Sequence, residues 1–290
     1  MKSLCIKTNN THALHYLLNL LNNFNQENIC FSCNNFKLYK NVIIHYTGDN
    51  TELFYTNIAN ILSYLVIDNF EENIIKQLIN NDYFYFNQSE KNTICQICLE
   101  LLQDNEEFSL IDRQHLLFKK FYNYISNNKT LVLTGFINFR LKEYFDFLDS
   151  ALTIAVNKFI VEREYLEFIS LLKMYINSQN TNYECVHLVY CDTNSILLDE
   201  NKNIINMEEN MFNAKYLSDI SFSSNDYALN TLLSILPNKI YIHLINNSID
   251  EFISTLQLIF ENKVHICTDC SICNIYKHIN TQTQRKAINK

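Results

Sequence analysis

The longest regular pattern of apolar residues lies between residues 139 and 176. Apolar side chains recur there every three or four positions, which is the spacing of one face of an α-helix. Tyr165 and Phe168 fall on a second apolar face, so the pattern predicts a long helix that is covered on two sides and forms the spine of the fold. The main stripe consists of Leu141, Phe145, Leu148, Leu152, Ala155, Phe159, Leu166 and Ile169.

The C-terminal third carries a strand–helix–strand pattern. Residues 239–245 and 263–268 are short apolar runs rich in β-branched residues, as strands are. Between them, Ser248 and Glu251 have the spacing of a capping box, which predicts a helix that continues to about residue 260. A crossover helix of this length favours two parallel strands in one sheet, joined by a right-handed connection.

The remaining patterns alternate between strand and helix. We therefore expect a helix-rich, mixed α/β fold, in which a central long helix joins an N-terminal α/β part to a C-terminal strand–helix–strand layer. The further predicted strands are 2–8, 29–33, 36–46, 82–87, 186–190, 195–199 and 202–206, and the further predicted helices are 11–24, 51–68, 71–80, 90–103, 109–126 and 225–236.

These elements suggest a division of the chain into regions. An N-terminal α/β region covers residues 1–105, a central helical region 106–180 and a C-terminal α/β region 181–276. Residues 277–290 form a polar tail, which we expect to fray. The three regions could also form one integrated domain.

Composition narrows the classes of function. Hydrophobic residues make up 48% of the 290 residues and charged residues 19%, which is typical of a globular protein. The chain has only two glycines, so it cannot build the glycine-rich loops of dinucleotide-binding or P-loop proteins. It contains neither an H-E-x-x-H nor a G-x-S-x-G motif. An enzymatic function is therefore the less favoured interpretation.

Charge and hydropathy set the expected location and partners. The formal net charge is −8, which argues against non-specific binding to nucleic acid. The N-terminal segment is too polar for a signal peptide, and the most apolar window, residues 58–67, falls short of the roughly 20 residues that a membrane span needs. We expect a cytoplasmic protein without a membrane span.

The cysteines suggest a metal site. A cytoplasmic chain keeps its thiols reduced, so a disulfide framework is a poor interpretation of ten cysteines. Cys267, Cys270 and Cys273 form a C-x-x-C-x-x-C run, whose thiolates can converge on a zinc ion or an iron–sulfur cluster. Buried or incidental thiols are the alternative. The fourth ligand remains open from spacing alone, among His265, His278, Cys191 and the pair Cys30 and Cys33.

The positions of histidines on the predicted strands favour His265 as the fourth ligand. His45, His187, His243 and His265 each lie within an apolar run. If His243 and His265 lie on adjacent parallel strands, their rings could share a face next to Cys267 and complete a zinc or iron site. The alternative is that each histidine is satisfied separately at the margin of the sheet. We take His265 with the three cysteines as the candidate metal ligands.

A group of charged residues in the long helix is the second candidate site. The apolar stripe passes through Glu162, which predicts that this carboxylate lies on or beside a buried seam and needs a partner. Arg140 and Lys158 are candidate partners, and Arg163 can pair with Glu167. One interpretation is an internal ion-pair network. The other is a site for a ligand or partner, made of Arg140, Glu162, Arg163, Glu164 and Tyr165.

The same helix carries a family resemblance. The runs N-F-R-L-K-E-Y at 138–144 and E-R-E-Y-L-E-F at 162–168, and the spacing between them, resemble those of the bacterial YtxC-like family. The resemblance is strongest over residues 135–190. It implies a sporulation-associated protein without an assigned biochemical activity, and it carries over no catalytic residues.

These expectations combine into one functional hypothesis. The chain is expected to be a cytoplasmic, sporulation-associated protein that acts as a non-enzymatic structural or regulatory interaction protein, with an unknown protein partner in sporulating cells. The alternative is a protein that binds zinc or an iron–sulfur cluster through its C-terminal cysteines.

Overall fold

We describe the protein from a computed structural model, which defines residues 2–23, 28–179, 183–191, 194–206, 223–246 and 248–288. Contacts along the chain divide it into two compact units, residues 1–162 and 163–290. The division expected after residues 105, 180 and 276 stays a prediction. Two expectations fall partly outside the described residues: the end of the first helix at residue 24, and positions 289 and 290 of the tail.

The N-terminal unit combines one sheet with several helices. In the sheet the strand order is β2-β3-β1-β4. β1 and β2 both run antiparallel to β3, and β4 runs parallel to β1. The described elements are β1 (Lys2–Thr8), α1 (Thr11–Asn23), β2 (Ile29–Asn35), β3 (Lys40–Tyr46), α2 (Thr51–Asp82), α3 (Gln88–Asp104), α4 (Leu110–Ile125), β4 (Thr130–Val132), α5 (Leu133–Arg140) and the first part of α6 (Lys142–Ser178).

The core of this unit lies between the helices and one face of the sheet. Leu4 and Ile6 of β1 and Val42 and Ile44 of β3 are fully buried, while the residues between them are not, as the two-residue period of a strand requires. The same core continues through α2, α4 and the first half of α6, for example at Leu148. The helices therefore cover a single face of the sheet.

Three local predictions in this unit were wrong in detail, and one strand was not predicted. Residues 51–80 form one helix, α2, and residues 83–87 form a turn between α2 and α3. The long helix begins at Lys142, because a break at Leu141 separates it from α5. β4 was not expected, since its three residues are held by pairing with β1, far away in the sequence. By contrast, the helix predicted at 109–126 is present as α4, and its N-cap Ser109 accepts a hydrogen bond from the Asp112 N–H.

The C-terminal unit contains the second sheet. In this sheet the strand order is β6-β5-β7-β8; β5, β7 and β8 are parallel, and β6 pairs antiparallel with β5. Its described elements are the rest of α6, β5 (Tyr183–Cys191), β6 (Asn194–Leu198), α7 (Ser224–Ile235), β7 (Pro237–Leu244), α8 (Glu251–Phe260), β8 (Val264–Cys267) and α9 (Ser271–Ile288). The predicted parallel unit β7-α8-β8 and the helix-rich α/β class are thus confirmed.

Some details of this unit also differ from expectation. The N-cap of α8 is Asp250, whose side chain accepts from the Ile253 N–H, and Ser248 lies outside the helix. Residues 202–206 contribute only an isolated bridge from Ile204 to Leu198. α9 extends to Ile288, so the segment that was expected to fray is helical over the residues that the structure defines.

The two faces of the second sheet have different environments. One face packs on α6, α7 and α8 and buries Val186, Leu188, Ile240 and Ile242 completely. The opposite face carries His187, Val189 and His243, and the start of α9 covers part of it through Ile272. No helix among the described residues is both long and apolar enough to cross a membrane.

Candidate metal centre

Four side chains with metal-binding atoms meet at one edge of the second sheet. His243 lies near the end of β7, and the sheet register places it directly opposite Cys267, the last residue of β8. The chain then turns into α9, which brings Cys270 and Cys273 to the same place from one helical turn. Three elements therefore supply the cluster, and the parallel pairing of β7 with β8 sets its geometry.

Four of the six distances within the cluster are close to the edges of a tetrahedron. His243 Nδ1 lies 3.3 Å from Cys270 Sγ and 3.4 Å from Cys273 Sγ. Cys273 Sγ lies 3.6 Å from Cys270 Sγ and 3.9 Å from Cys267 Sγ. A tetrahedral zinc ion with its usual bond lengths would give edges of about 3.8 Å between sulfurs and about 3.5 Å from nitrogen to sulfur. All four ligand atoms lie within 4.8 Å of one another.

This spacing favours one ion over an iron–sulfur cluster. The ligands of such a cluster bind different iron atoms, so their sulfurs spread farther apart than the ligands of a single metal. Three thiolates and one imidazole form a Cys₃His set, which is a known structural zinc shell. Cadmium and cobalt suit the same donors, but zinc is the ion that nature most often places in such a shell.

Burial keeps the histidine in the form that binds a metal. His243 is 3% exposed. Burial, with a smaller effect from the neighbouring His187, lowers the pKa of His243 to about 4, so its imidazole is neutral near pH 7. A neutral imidazole has one ring nitrogen with a free lone pair, as coordination requires.

The thiols differ from one another in their environments. Burial raises the pKa of the Cys273 thiol to about 12. Burial also opposes ionisation of Cys270, but hydrogen bonds from the Cys273 N–H and from neighbouring thiols outweigh it and hold the pKa of Cys270 below its usual value. Cys270 therefore ionises more readily than Cys273, and a bound cation would favour the thiolate form of the ligands.

The structure brings three of the four predicted ligands together, but not the fourth. His265 lies on β8 opposite Tyr241, with the two ring centroids 5.5 Å apart, and its side chain is exposed. The choice of His265 was therefore wrong, and the fourth ligand atom in the cluster belongs to His243. Spacing could not separate the two histidines, because the register of β7 against β8 decides which ring meets the thiols.

The other cysteines lie elsewhere. Cys95 and Cys98 are buried in the core of the N-terminal unit, and burial raises the pKa of Cys98 to about 12. Cys30 and Cys33 are exposed on β2. Cys191 packs against the small apolar group under α9 and is not part of the cluster.

The charged residues of the long helix have a different environment from the predicted one. Glu162 is exposed, so the expectation that it lies on a buried seam was wrong. The buried stripe of the first half, which includes Leu152, ends at Val156, and the next fully buried position of the helix is Ile169. Glu162 lies between these two positions.

The partners of this charged group are mostly local. Arg163 Nε lies 3.7 Å from Glu167 Oε1, which is the predicted pair one turn along the helix. The guanidinium of Arg140 lies 5.8 Å from the centre of the Tyr124 ring. Tyr165 shares a hydrogen bond with Thr255, and Glu164 is exposed. Their proposed role as a ligand or partner site stays a prediction.

Sequence reasoning missed a buried polar network in the N-terminal unit. Arg113 of α4 forms an ion pair with Glu71 of α2, and both side chains are less than a tenth exposed. The Tyr144 hydroxyl donates to the second carboxylate oxygen of Glu71, and Arg113 Nη2 donates to the Leu102 carbonyl at 2.8 Å. No local sequence motif predicts this network, because its members come from different helices.

Comparisons with known proteins agree with the resemblance seen in the sequence. The model of the YtxC-like family matches residues 56–265. A protein named "Uncharacterized protein YtxC" from Bacillus subtilis (strain 168) is 22% identical over 213 residues, which cover 70% of this chain and 75% of that protein. No solved structure matches the chain. The family match includes His187 and His243 and ends before Cys267.

Proposed function

We propose that this chain, which belongs to the YtxC-like family, binds one zinc ion through His243, Cys267, Cys270 and Cys273. The observation that carries the proposal is the geometry of the cluster. Four donor atoms lie within 4.8 Å of one another, four of their six separations are close to the edge lengths of a zinc tetrahedron, and a neutral, buried imidazole is among them.

The ligand set supports a structural role for this zinc. A catalytic zinc site usually has three protein ligands and leaves one position for water or substrate. Here four protein atoms complete the tetrahedron, so no position remains for a reacting molecule. Thiolate ligands also favour zinc over magnesium or calcium, which prefer oxygen.

The position of the site indicates what the zinc would hold together. Cys270 and Cys273 lie at the start of α9, whereas His243 and Cys267 lie on adjacent strands. Between Cys270 and Cys273, Ile272 of α9 packs against Val189, Leu198 and Ile245. This apolar group is small, so burial alone would hold α9 weakly. The zinc would fix the start of α9 to the sheet.

We place this module in a wider role as a cytoplasmic, sporulation-associated structural or regulatory interaction protein that is not an enzyme. Sporulation is suggested by the family resemblance. The interaction role is supported by the saturated metal shell and by the lack of glycine-rich phosphate loops. On this view zinc stabilises a surface that an unidentified protein partner in sporulating cells recognises.

Metal analysis of the full-length protein tests the zinc proposal. We expect about one zinc per chain in protein purified under reducing conditions without added metal, and cobalt substitution should give the absorption bands of a tetrahedral thiolate site. The Cys273→Ala variant should lose the metal. The Cys98→Ala variant is the matched control, because Cys98 is equally buried but belongs to the other unit.

Two results would overturn the proposal. One is a reduced, folded protein that holds no zinc after incubation with the metal and dialysis. The other is full zinc content in a variant that lacks Cys267, Cys270 and Cys273. Stoichiometric iron with sulfide would instead support the cluster alternative.

A further inference from the structure

His187 contacts the imidazole of the proposed zinc ligand from the side opposite to the thiols. His243 Nδ1 faces the sulfurs of Cys270 and Cys273, whereas its other ring nitrogen, Nε2, lies 3.0 Å from His187 Nδ1. The two rings lie edge to edge across this contact, with centroids 5.2 Å apart and planes 30° apart. The described structure therefore places His243 between the thiols and one specific hydrogen-bond partner.

Elementary imidazole chemistry then fixes both tautomers. If Nδ1 of His243 binds zinc, its single proton must be on Nε2. That N–H can only donate, so His187 Nδ1 must accept and His187 must carry its own proton on Nε2. Metal-binding histidines commonly donate their second N–H to such a partner, which orients the ring and strengthens the ligand.

We propose that His187 is a positioning residue for the metal, which acts by accepting the His243 Nε2–H and holding its Nδ1 toward the thiols. This inference rests on the proposed zinc function and adds a residue that is not itself a ligand. Nothing in the spacing of the sequence connects His187 with the cysteines, since β5 and β8 are separated in the sheet by β7.

The strand register keeps His187 in place. His187 lies opposite Tyr241 on β7, and its ring stacks on the Tyr241 ring with centroids 5.4 Å apart and planes 23° apart. Tyr241 in turn packs beside His265. The rings of His187, Tyr241 and His265 thus form a row across the three parallel strands, and the buried His243 lies two residues beyond Tyr241 on β7. His187 is held on both sides, so its acceptor nitrogen has a defined direction.

Paired substitutions at His187 test the hydrogen bond separately from the ring. His187→Leu removes the acceptor, and we expect zinc affinity, measured by competition with a chromophoric chelator, to fall about 10–100-fold. His187→Asn places an amide oxygen near the position of Nδ1 and should stay within about 3-fold of the parent. His187→Gln moves its amide outward to the position of Nε2 and should behave like the leucine variant.

His265→Leu is the control for changing a ring on the same face. It makes the same chemical change in the same row, but His265 does not contact His243 among the described residues, so zinc affinity should not change. In the zinc-loaded parent, nuclear magnetic resonance of the labelled histidines should show His243 protonated on Nε2. That proton should exchange faster with solvent in His187→Leu.

The outcomes separate this inference from the proposal on which it depends. If the parent binds no zinc, the proposed function fails. If the parent binds zinc and His187→Leu binds equally well, only the positioning role fails. Should His187→Leu not fold, the asparagine and glutamine variants decide: equal affinities for the two would contradict a role for the hydrogen bond.

Discussion

The two units both bury polar side chains, but they satisfy them in opposite ways. In the N-terminal unit, the Arg113 guanidinium pairs with the Glu71 carboxylate, and Tyr144 donates to the remaining carboxylate oxygen. In the C-terminal unit, His243 meets three thiols, and these four groups include no opposite charges. The charges of the first network neutralise each other. The four residues of the second cluster instead place electron-pair donors around a common centre.

This difference distinguishes a structural network from a metal site. A buried charge costs several kcal/mol unless it is paired, and the Glu71–Arg113 pair meets that need within the protein. Neighbouring thiols favour the first thiolate, at Cys270, but that thiolate then opposes the ionisation of the next; burial and the neighbouring thiols raise the pKa of Cys273 to about 12. A bound cation would remove this cost, and no described side chain in the cluster supplies one.

Removal of the metal should have the largest effect on stability. It should affect the C-terminal unit only. Structural zinc contributes roughly 10–16 kcal/mol in isolated zinc-finger peptides, as much as the whole stability of many domains. A strong chelator should therefore abolish the protection of α9 and of the ends of β7 and β8 against hydrogen exchange, measured peptide by peptide.

The N-terminal unit provides the internal control for this experiment. Its peptides should keep their protection, since its buried network contains no metal-binding cluster among the described residues. Unchanged exchange throughout the C-terminal unit after complete removal of zinc would contradict a structural role for the ion.

The second prediction breaks the network of the N-terminal unit. Glu71→Leu leaves the Arg113 guanidinium buried without its carboxylate and should lower the free energy of unfolding by about 3–5 kcal/mol. Replacing both residues, as Glu71→Leu with Arg113→Met, should recover most of this loss, because no buried charge then remains. Denaturant unfolding followed by exchange in unit-specific peptides measures both variants. A double variant as unstable as the single one would show that packing, not charge, dominates the loss.

The two groups also differ in what could be predicted from the sequence. The three cysteines are close in the sequence, so their convergence follows from a spacing of three residues and a turn into a helix. His243 could not be chosen over His265 without the strand register. Glu71, Arg113 and Tyr144 come from three helices and were not found at all, because helical spacing reports only which residues share a face of their own helix.

The fold shows the same limit: elements with strong local signals were predicted, and elements that depend on distant pairing were not. The β7-α8-β8 unit was predicted because each strand and the helix between them have strong local signals. β4 was missed because its three residues are a strand only through pairing with β1. The turn after α2 was mistaken for a strand because its aromatic residues have high β-propensity, which local structure overrode.

The third prediction sharpens the comparison within the N-terminal network. Tyr144→Phe keeps the ring but leaves one buried oxygen of Glu71 without its donor, so we expect a loss of about 1–3 kcal/mol. Tyr165→Phe is the matched control, since its hydroxyl bonds Thr255 at a more exposed site and should cost less than about 0.5 kcal/mol. Equal effects of the two changes on unfolding by denaturant would contradict the importance of burial.

The smallest effect is expected where charges are left in water. Glu162 is exposed and forms no ion pair among the described residues, so Glu162→Gln should change the free energy of unfolding by less than about 0.5 kcal/mol. A loss above about 2 kcal/mol, measured beside Glu71→Leu, would place this carboxylate with the buried network after all. If Glu162→Gln leaves the free energy of unfolding unchanged, the variant can be used to test the predicted partner site around Arg140 and Arg163. Any loss of partner binding or of sporulation could then be attributed to the surface of the helix, since the fold would be intact.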